Sequence, residues 1–593
     1  MKIRVSDYIV NFLSKNNLNT VFSITGGFAM HLNNSFGTNE DFEIYYQHHE
    51  QSCGYSATGY TKTNSKPCIV CTTAGCAATN AISPCLVAHQ DSLPILFISG
   101  QSKSTEITRA LNNENMTLRH YAGQDCDIIS IVKPITKYAH EIVRIEEVKE
   151  VLIEAIKNLR NGRPGPVWIS VPIDIQGFLM DDTDIPIIKK DKLENISSLN
   201  ILEDVDELIK KSKRPLIIAG NGIKLGLCNE KFKYFLEKYK IPVVATFHGL
   251  DILETDNDLF IGRIGLIGDR AGNFALQNCD LLISMGCRMA QGIIGYREDW
   301  FAREAKIIYI DNDQNELEKN NIHYTLKINM DLNDFYDNYN FENKYFEEWV
   351  EKCCSWKKKW IFEVPSNVDD DRSGINPYNA LKKYFEVAPE NKITICSSGS
   401  IVNIIWHMAN IKKDDKFIIS SQGDMGFELT AAIGSAVAEK NKIIVPILGE
   451  GSLQLNIQEL QTIVHHKFPI KILLMNNNSY GANVITQSIY FKKKCGSDND
   501  SGLSFPNTEK IANAYGIKYI SVCKNEDLEK IFKEFLECDE ACICEVFSSI
   551  QVRCPKISAI KNDDGTFSNR PLEDLEPFMS REEFEKEMIV KVV

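Results

Sequence analysis

The sequence predicts an α/β protein built from three doubly wound domains, each with a parallel sheet. Short, almost wholly apolar runs recur along the chain, such as IIVPIL at 443–448 and IKILLM at 470–475, and such runs are typical of strands buried on both faces. Stretches with helical character separate the runs, and this alternation favours parallel sheets covered by helices. A chain of 593 residues is long enough for three such domains.

We place the N-terminal domain at residues 1–185, the central domain at 186–365 and the C-terminal domain with its tail at 366–593. The charged stretch 186–200 has no clear period and is interpreted as a linker. The predicted strands of the three domains lie within 20–25, 66–73, 93–100 and 165–172; within 213–222, 241–249, 280–288 and 305–313; and within 392–399, 416–421, 442–451, 470–478 and 541–547.

Composition and charge exclude several classes of function. The net charge of −14 argues against a nucleic-acid binder. The six-residue apolar runs are far shorter than the ~20 residues that cross a bilayer, so no membrane association is expected. The 18 cysteines contain no pair of CxxC motifs, which favours free thiols and a cytoplasmic protein.

A first candidate site lies in residues 44–60, where a predicted strand runs into a helix that begins near Glu50. Small residues follow along this helix, including Ser52, Gly54 and Gly59. A carboxylate beside such a smooth helix could sit half-buried against a flat ligand and share a proton with it. The alternative is that Glu50 only stabilises the start of the helix, where negative charge is favourable.

A second candidate site lies in residues 446–481. One buried strand runs into Gly449-Glu450-Gly451-Ser452, and the next runs into Asn476-Asn477-Asn478. Parallel strands end at the same sheet edge, where ligands bind. The glycines would let backbone approach a phosphate, and the N–H and hydroxyl of Ser452 could both meet it. A carboxylate and an amide oxygen would suit Mg²⁺ bridging a diphosphate.

With these motifs the chain resembles the thiamine-diphosphate enzymes of the acetolactate synthase, pyruvate oxidase and benzoylformate decarboxylase group. The family motif is GDG followed about two dozen residues later by NN, and here 24 residues separate Gly451 from Asn476. HHEQ around Glu50, the segment 72–101 and GDMGFELTAAIGSAVA at 423–438 are also similar to the family. The resemblance implies a pyrimidine-binding N-terminal domain, a Rossmann-like central domain and a diphosphate-binding C-terminal domain.

The resemblance also implies roles for matching residues. Glu50 would activate the aminopyrimidine ring, Gln124 would face the reacting carbon, and Gly27 would lie in a loop that closes over substrate. The implied cofactor contacts are Glu50, Cys76, Gly399, Ser400, Gly423, Met425, Gly451, Ser452 and Asn477. The implied Mg²⁺ ligands are Glu450, Asn477 and the Ser479 carbonyl.

Two features complicate the match. Position 450 is Glu where the family has Asp, which moves the carboxylate outward by one methylene and puts the metal preference in question. In the central domain, AGNGIKLG at 219–226 is a weak dinucleotide signal, and Arg288 matches an arginine that touches FAD in acetolactate synthases. Many relatives leave this domain empty, so the sequence leaves FAD open.

The expected activity is decarboxylation of a 2-keto acid, with pyruvate the first choice, and transfer of the two-carbon unit to an acceptor carbonyl. Three alternatives stay open: acetyl addition to a nucleotide-linked ketosugar in surface-polysaccharide synthesis, simple decarboxylation, and a non-catalytic cofactor-binding regulator. The family implies a homodimer or homotetramer with the active site between subunits.

Overall fold

Three parallel six-stranded sheets organise the chain, which confirms the predicted fold class. The computed structural model describes residues 2–182, 184–191, 199–362, 374–550, 559–561, 564 and 567–593. The predicted domain boundary at 365/366 and part of the predicted linker lie outside the described residues. Within the described ranges, no helix is long and apolar enough to cross a membrane.

The N-terminal sheet has the order β3-β2-β4-β5-β7-β6, and β1 pairs antiparallel with β8. The strands are β1 Lys2–Arg4, β2 Thr20–Ser23, β3 Glu43–Tyr46, β4 Cys68–Thr72, β5 Ile95–Gln101, β6 Tyr138–Glu141, β7 Val167–Pro172 and β8 Leu179–Asp181. The helices are α1 Val5–Lys15, α2 Met30–Thr38, α3 Glu50–Asn64, α4 Cys76–Asn80, α5 Ile82–Gln90, α6 Thr108–Leu111, α7 Ile128–Val132, α8 Val148–Arg160 and α9 Ile173–Gly177.

The central sheet has the order β11-β10-β9-β12-β13-β14, the dinucleotide-fold order. Its strands are β9 Pro215–Ala219, β10 Val243–Ala245, β11 Phe260–Arg263, β12 Leu281–Met285, β13 Lys306–Asp311 and β14 Leu326–Asn329. Its helices are α10 Leu199–Lys211, α11 Gly222–Leu225, α12 Asn229–Tyr239, α13 Arg270–Asn278, α14 Gln291–Ile294, α15 Gln314–Leu317, α16 Leu332–Asn338 and α17 Glu347–Lys359.

The C-terminal sheet has the order β16-β15-β17-β18-β20-β19. Its strands are β15 Lys392–Ile395, β16 Lys416–Ile418, β17 Ile443–Gly449, β18 Lys471–Asn476, β19 Lys518–Val522 and β20 Cys542–Phe547, and a hairpin follows with β21 Ala559–Lys561 and β22 Phe567–Asn569. Its helices are α18 Pro377–Val387, α19 Gly399–Met408, α20 Phe427–Ala438, α21 Glu450–Leu455, α22 Leu460–His466, α23 Gly481–Tyr490, α24 Thr508–Tyr515, α25 Leu528–Leu536 and α26 Arg581–Glu587.

The first and third sheets have the same topology, although no sequence repeat is visible between them. In each sheet, the second strand in chain order pairs with the first and forms one edge of the sheet. The third strand then pairs with the opposite side of the first. The strand order therefore reverses between β2 and β4 and again between β15 and β17. Ligands of open parallel sheets bind at such reversals, outside the carboxyl ends of the strands.

The small residues of α3 pack against another helix. A Cβ added at Gly59 would lie 2.1 Å from the Ala431 carbonyl oxygen, and one added at Gly434 would lie 1.8 Å from the Ser56 carbonyl oxygen. Both α3 and α20 therefore need glycine at the crossing. The smooth face joins the N-terminal and C-terminal domains within one chain.

The C-terminal tail returns to the central domain. Leu572 and Phe584 belong to the apolar core of that domain. Glu573 forms a buried ion pair with Arg303 at 2.9 Å, and the Asn278 side chain accepts from the backbone N–H groups of Ile589 and Val590. Buried contacts therefore fix residues 572–590 on the central sheet layer.

Candidate functional site

Two helices of the C-terminal domain begin at the β15/β17 reversal. Helix α19 starts at Gly399, four residues after the last residue of β15, and α21 starts at Glu450, directly after β17. The N-cap positions, Ser398 and Gly449, make no side-chain capping bond to either helix. The first-turn N–H groups of both helices therefore lack side-chain caps at neighbouring strand ends, an arrangement that fits a diphosphate.

The loop that contains Gly423 and Met425 reaches the same place. Gly423 has a φ of +67°, a left-handed conformation that favours glycine. A Cβ at Gly451 would lie 2.3 Å from the Tyr480 ring and 3.1 Å from the Met425 methyl carbon. The helix start, the Met425 loop and the segment after β18 therefore converge so closely that only glycine fits at position 451.

The loop that contains the expected metal ligands closes around Glu450. Glu450 is 6 % exposed, and its carboxylate accepts a hydrogen bond of 2.7 Å from the Ser479 N–H. Burial raises the pKa of Glu450 to about 7, although bonds from backbone N–H groups of this loop oppose the rise. Asn477 Oδ1 accepts from the Ser479 hydroxyl at 2.8 Å, and Asn478 adopts a left-handed φ of +54°. The turn thus brings a carboxylate and an amide oxygen together, the hard donors that suit Mg²⁺.

The expected Mg²⁺ ligands include only one carboxylate, so this site differs from metal sites built on several acidic or histidine ligands. Among the described residues, no group of three or more His, Cys, Asp and Glu side chains is placed to hold a metal. Outside the ligand set, Asn476 donates to Glu545 at 2.6 Å and anchors the end of β18.

The structure corrects the expectation that the Ser452 hydroxyl faces the diphosphate. This hydroxyl donates to Glu428 Oε2 at 2.5 Å and accepts from the Gly426 N–H at 2.7 Å. Ser452 is 3 % exposed, so its side chain is engaged inside the domain. Its backbone N–H remains the group that can meet a phosphate.

In the N-terminal domain, Glu50 is the first residue of α3 and is half-buried. Its Oε2 accepts a hydrogen bond of 2.9 Å from the Asn80 side chain. His49 caps the helix, because its Nδ1 accepts from the Gln51 N–H at 3.2 Å. The carboxylate is therefore held by its neighbours on one side while part of its surface stays open.

Three other predicted residues gather at the edge formed by the ends of β2 and β4. The turn at Gly26 and Gly27 is tied down by the Phe28 N–H, which donates to the Thr73 hydroxyl at 3.1 Å. Gly75 packs so tightly that its Cβ would lie 2.4 Å from the Gln124 carbonyl oxygen. Gln124 itself is exposed with a left-handed φ of +61°, a strained conformation of the kind found at functional sites.

Cys76 follows this turn as an exposed thiol at the start of α4, the helix that ends with the Glu50 partner Asn80. The structure therefore brings Glu50, Gly27, Cys76 and Gln124 to one edge of the N-terminal sheet.

Contacts within the chain link α3 of the N-terminal domain to the C-terminal domain, close to the Met425 loop. The Ser52 hydroxyl donates to Asn456 Oδ1 at 2.8 Å, and Asn456 donates to the Gly426 carbonyl at 2.9 Å. The Tyr55 hydroxyl donates to Asp424 at 3.1 Å. The Met425 loop is thus braced by α3 of the same chain.

A cavity of about 1230 Å³ lies where the three domains meet. The central domain contributes Gly222, Gly226, Arg288 and Asp311 to its lining, and the C-terminal domain contributes Gly423. Of the glycines singled out in the sequence, Gly220 instead packs against Gly286. Burial raises the pKa of Asp311 to about 6.

Sequence reasoning missed Asn80, Asn456, Tyr480 and Glu428. The first three are polar or aromatic residues without a distinctive pattern. Glu428 did carry a signal, because it is the only charged residue in the helix FELTAAIGSAVA.

Family models match most of the chain. The N-terminal TPP binding domain, the central domain and the C-terminal TPP binding domain of the thiamine pyrophosphate enzymes match residues 3–131, 202–337 and 397–546. The chain therefore belongs to the thiamine pyrophosphate enzymes, and it is a thiamine-diphosphate-dependent enzyme.

Within that family the chain is similar to acetolactate synthase large subunits. It is 31% identical over 500 residues to the acetolactate synthase large subunit of Porphyra purpurea, covering 82% of each chain. It is 30% identical over 518 residues to a probable acetolactate synthase large subunit of Methanococcus aeolicus, covering 83% of each. It is 29% identical to the large subunit of Lactococcus lactis, covering 92% of each.

Proposed function

We propose that the protein decarboxylates a 2-keto acid, with pyruvate the first choice, and transfers the resulting two-carbon unit to an acceptor carbonyl. The observation that carries this proposal is the pair of sheet edges: one presents Glu50, and the other presents two uncapped helix starts beside Glu450 and Asn477. The similarity to acetolactate synthase large subunits supports carboligation over simple decarboxylation.

The C-terminal edge would hold the cofactor. Backbone N–H groups at the two helix starts would bind the diphosphate, and Met425 would support the bent cofactor beside the Gly423 carbonyl. These contacts involve Gly399, Ser400, Gly423, Met425, Gly451 and Ser452. Mg²⁺ would take Glu450, Asn477 and the Ser479 carbonyl as ligands. Bound thiamine diphosphate supplies the electron sink that decarboxylation needs.

The N-terminal sheet edge would supply the residues that contact the reacting part of the cofactor and the substrate. Glu50 would hold a proton at the aminopyrimidine ring, and its hydrogen bond from Asn80 fixes the carboxylate for that task. Gln124 would contact the substrate, Gly27 would lie in the closing loop, and Cys76 would touch the cofactor.

We propose that the cofactor lies between two chains of a homodimer or of a homotetramer built from such dimers. The resemblance to the thiamine-diphosphate enzymes supports this proposal, since it implies an active site between subunits. Glu50 would then serve the diphosphate edge of a partner subunit.

The cavity between the domains supports a dinucleotide as a second, non-reacting ligand, and we propose FAD. The central sheet has the dinucleotide-fold order, and Gly222 and Arg288 line the cavity, which supports this proposal. Incubating the protein with excess FAD, removing the unbound FAD by gel filtration, and recording the absorption spectrum of the ligand that denaturation releases tests this. A colourless supernatant contradicts it.

The activity is tested by incubating the protein with thiamine diphosphate, Mg²⁺ and pyruvate, alone and with panels of 2-keto acids and nucleotide-linked ketosugars. We expect CO₂ release and a coupled product that contains the two-carbon unit. Release of free aldehyde alone would identify a decarboxylase, and coupling only to a ketosugar would identify the sugar-pathway alternative. Cofactor binding without CO₂ release from any 2-keto acid would contradict the proposal and favour a regulator.

The free thiols of the 17 described cysteines support the predicted cytoplasmic location.

A further inference from the structure

Glu428 is a carboxylate buried where no substrate can reach it. It occupies the first turn of α20 and has no exposed surface. The remaining residues of that helix are apolar or small and neutral, from Phe427 to Ala438. A buried charge in such surroundings is costly unless its hydrogen bonds compensate for the lost water.

Glu428 accepts four hydrogen bonds from other residues, and all four come from segments beside the cofactor edge. Oε1 accepts from the Ser397 N–H at 3.0 Å and from the N–H and hydroxyl of Ser398, each at 2.9 Å. These two serines lead directly into Gly399 and the start of α19. Oε2 accepts from the Ser452 hydroxyl, in the first turn of α21.

The Met425 loop joins through Ser452. The Gly426 N–H donates to the Ser452 hydroxyl oxygen at 2.7 Å, and that hydroxyl donates a hydrogen bond to Glu428. Gly426 adopts a left-handed φ of +81° and immediately follows Met425. One carboxylate therefore ties together the β15–α19 turn, the start of α21 and the loop that contains Gly423 and Met425.

Electrostatics sets this carboxylate apart from an ordinary structural glutamate. Among the described residues, Glu428 forms no ion pair with a lysine, arginine or histidine. Burial raises its pKa, and the bonds from Ser452 and Ser398 oppose the rise. The titratable groups that face it are the Tyr55 phenol on α3 and the Cys396 thiol after β15. An apolar side chain would fill the same space at lower cost, so packing alone does not explain a charge here.

We propose that Glu428 is a positioning residue that holds the three cofactor-binding segments of the C-terminal domain in one arrangement and thereby sets the affinity for thiamine diphosphate. This role rests on the family's cofactor and not on the choice of substrate. It goes beyond the proposed function, because a failure to find the substrate would leave it intact.

The test is Glu428→Gln with thiamine diphosphate as the titrated ligand at saturating Mg²⁺. The amide keeps the shape of the carboxylate but has only one oxygen that can accept hydrogen bonds. It therefore cannot accept from both the Ser397–Ser398 turn and the Ser452 hydroxyl unless that hydroxyl rotates away. We expect the Kd for thiamine diphosphate to rise roughly tenfold or more, because a charge-assisted bond is lost. The thermal midpoint of the cofactor-free protein should change by only a few degrees.

Glu459→Gln is the matched control. Glu459 is also fully buried in the C-terminal domain, but it accepts from the His48 N–H and the Thr462 hydroxyl. Its replacement should leave the Kd within about twofold of the wild-type value. An equal rise in Kd for both variants would overturn the proposal, since any buried carboxylate would then have the same effect.

A double variant separates positioning from general stability. In Ser452→Ala the bond to Oε2 is already absent, so adding Glu428→Gln should raise the Kd less than threefold further. Additive effects would overturn the proposal, because residues acting through one shared bond are non-additive. If Glu428→Gln does not fold, Glu428→Asp provides the same test with the charge kept and the reach shortened. A Kd within twofold of wild type in the folded variant would also overturn it.

Discussion

Replacing Glu450 by Asp restores the family residue at the metal loop and is expected to weaken the site. The Glu450 carboxylate accepts from the Ser479 N–H at 2.7 Å. Removing one methylene withdraws the carboxylate by about 1.5 Å, which takes this contact beyond the ~3.2 Å limit of a hydrogen bond. A bond to a charged group contributes about 1.5–3 kcal/mol, so Mg²⁺ and thiamine diphosphate should bind roughly 10- to 150-fold more weakly.

Isothermal titration of Mg²⁺ and thiamine diphosphate into the wild-type and Glu450→Asp proteins measures this change. Glu459→Asp controls for shortening a buried glutamate that lies away from the metal loop. If the Asp variant binds the metal and the cofactor more tightly, the loop has not adapted to the longer side chain, and the reasoning is refuted. Glu450 would then be a weakened ligand.

Three further predictions follow from the contacts described. Glu50→Gln should abolish CO₂ release while the Kd for thiamine diphosphate stays within about threefold, because Glu50 lies outside the diphosphate segments; near-native turnover would contradict the role of Glu50. Gly434→Ala should lower the free energy of unfolding by about 2 kcal/mol or more in urea titrations, because its Cβ would lie 1.8 Å from the Ser56 carbonyl oxygen. Gly292→Ala is the control and should not lower it, because no atom lies within 4 Å of the added Cβ. Burial opposes the low pKa of Glu587, but two lysines and a tryptophan of α17 lower it to about 2. The stabilisation of the docked tail by this carboxylate should therefore be complete above pH ~4.5 and be lost as the pH falls toward 2. Hydrogen-exchange protection factors of residues 580–593, which remove the intrinsic pH dependence of exchange, should fall from pH 5 to pH 2.5 more in wild type than in Glu587→Gln, and an equal fall in both proteins would contradict this.

The sequence predicted the inner strands well because they are buried on both faces. Every strand expected from an apolar run is present in the structure. The strands that were not expected are chiefly edge strands with partly exposed side chains, such as β6, β14 and β19. A half-exposed strand of four or five residues leaves no continuous apolar run, so its sequence resembles that of a loop.

The candidate site was predictable where it depends on local motifs. Gly451, Asn477 and Gly423 lie in short patterns whose conformation is set within a few residues, and the structure places them together. The role of the Ser452 hydroxyl was misread, and the packing of the small residues on α3 was not predicted, because their partners, Glu428 and α20, lie far away in sequence. Serine that meets a phosphate and serine that meets a buried carboxylate look alike in a sequence, as do a smooth helix that faces a ligand and one that faces a helix.

Release of CO₂ from pyruvate labelled at its carboxyl carbon tests the central claim most directly. The protein, loaded with thiamine diphosphate and Mg²⁺, should release labelled CO₂ at a rate that depends on both additions, and Glu50→Gln at the same cofactor occupancy should release none above background. A wild-type protein that binds thiamine diphosphate yet matches Glu50→Gln with pyruvate and with every other 2-keto acid tested would contradict the account.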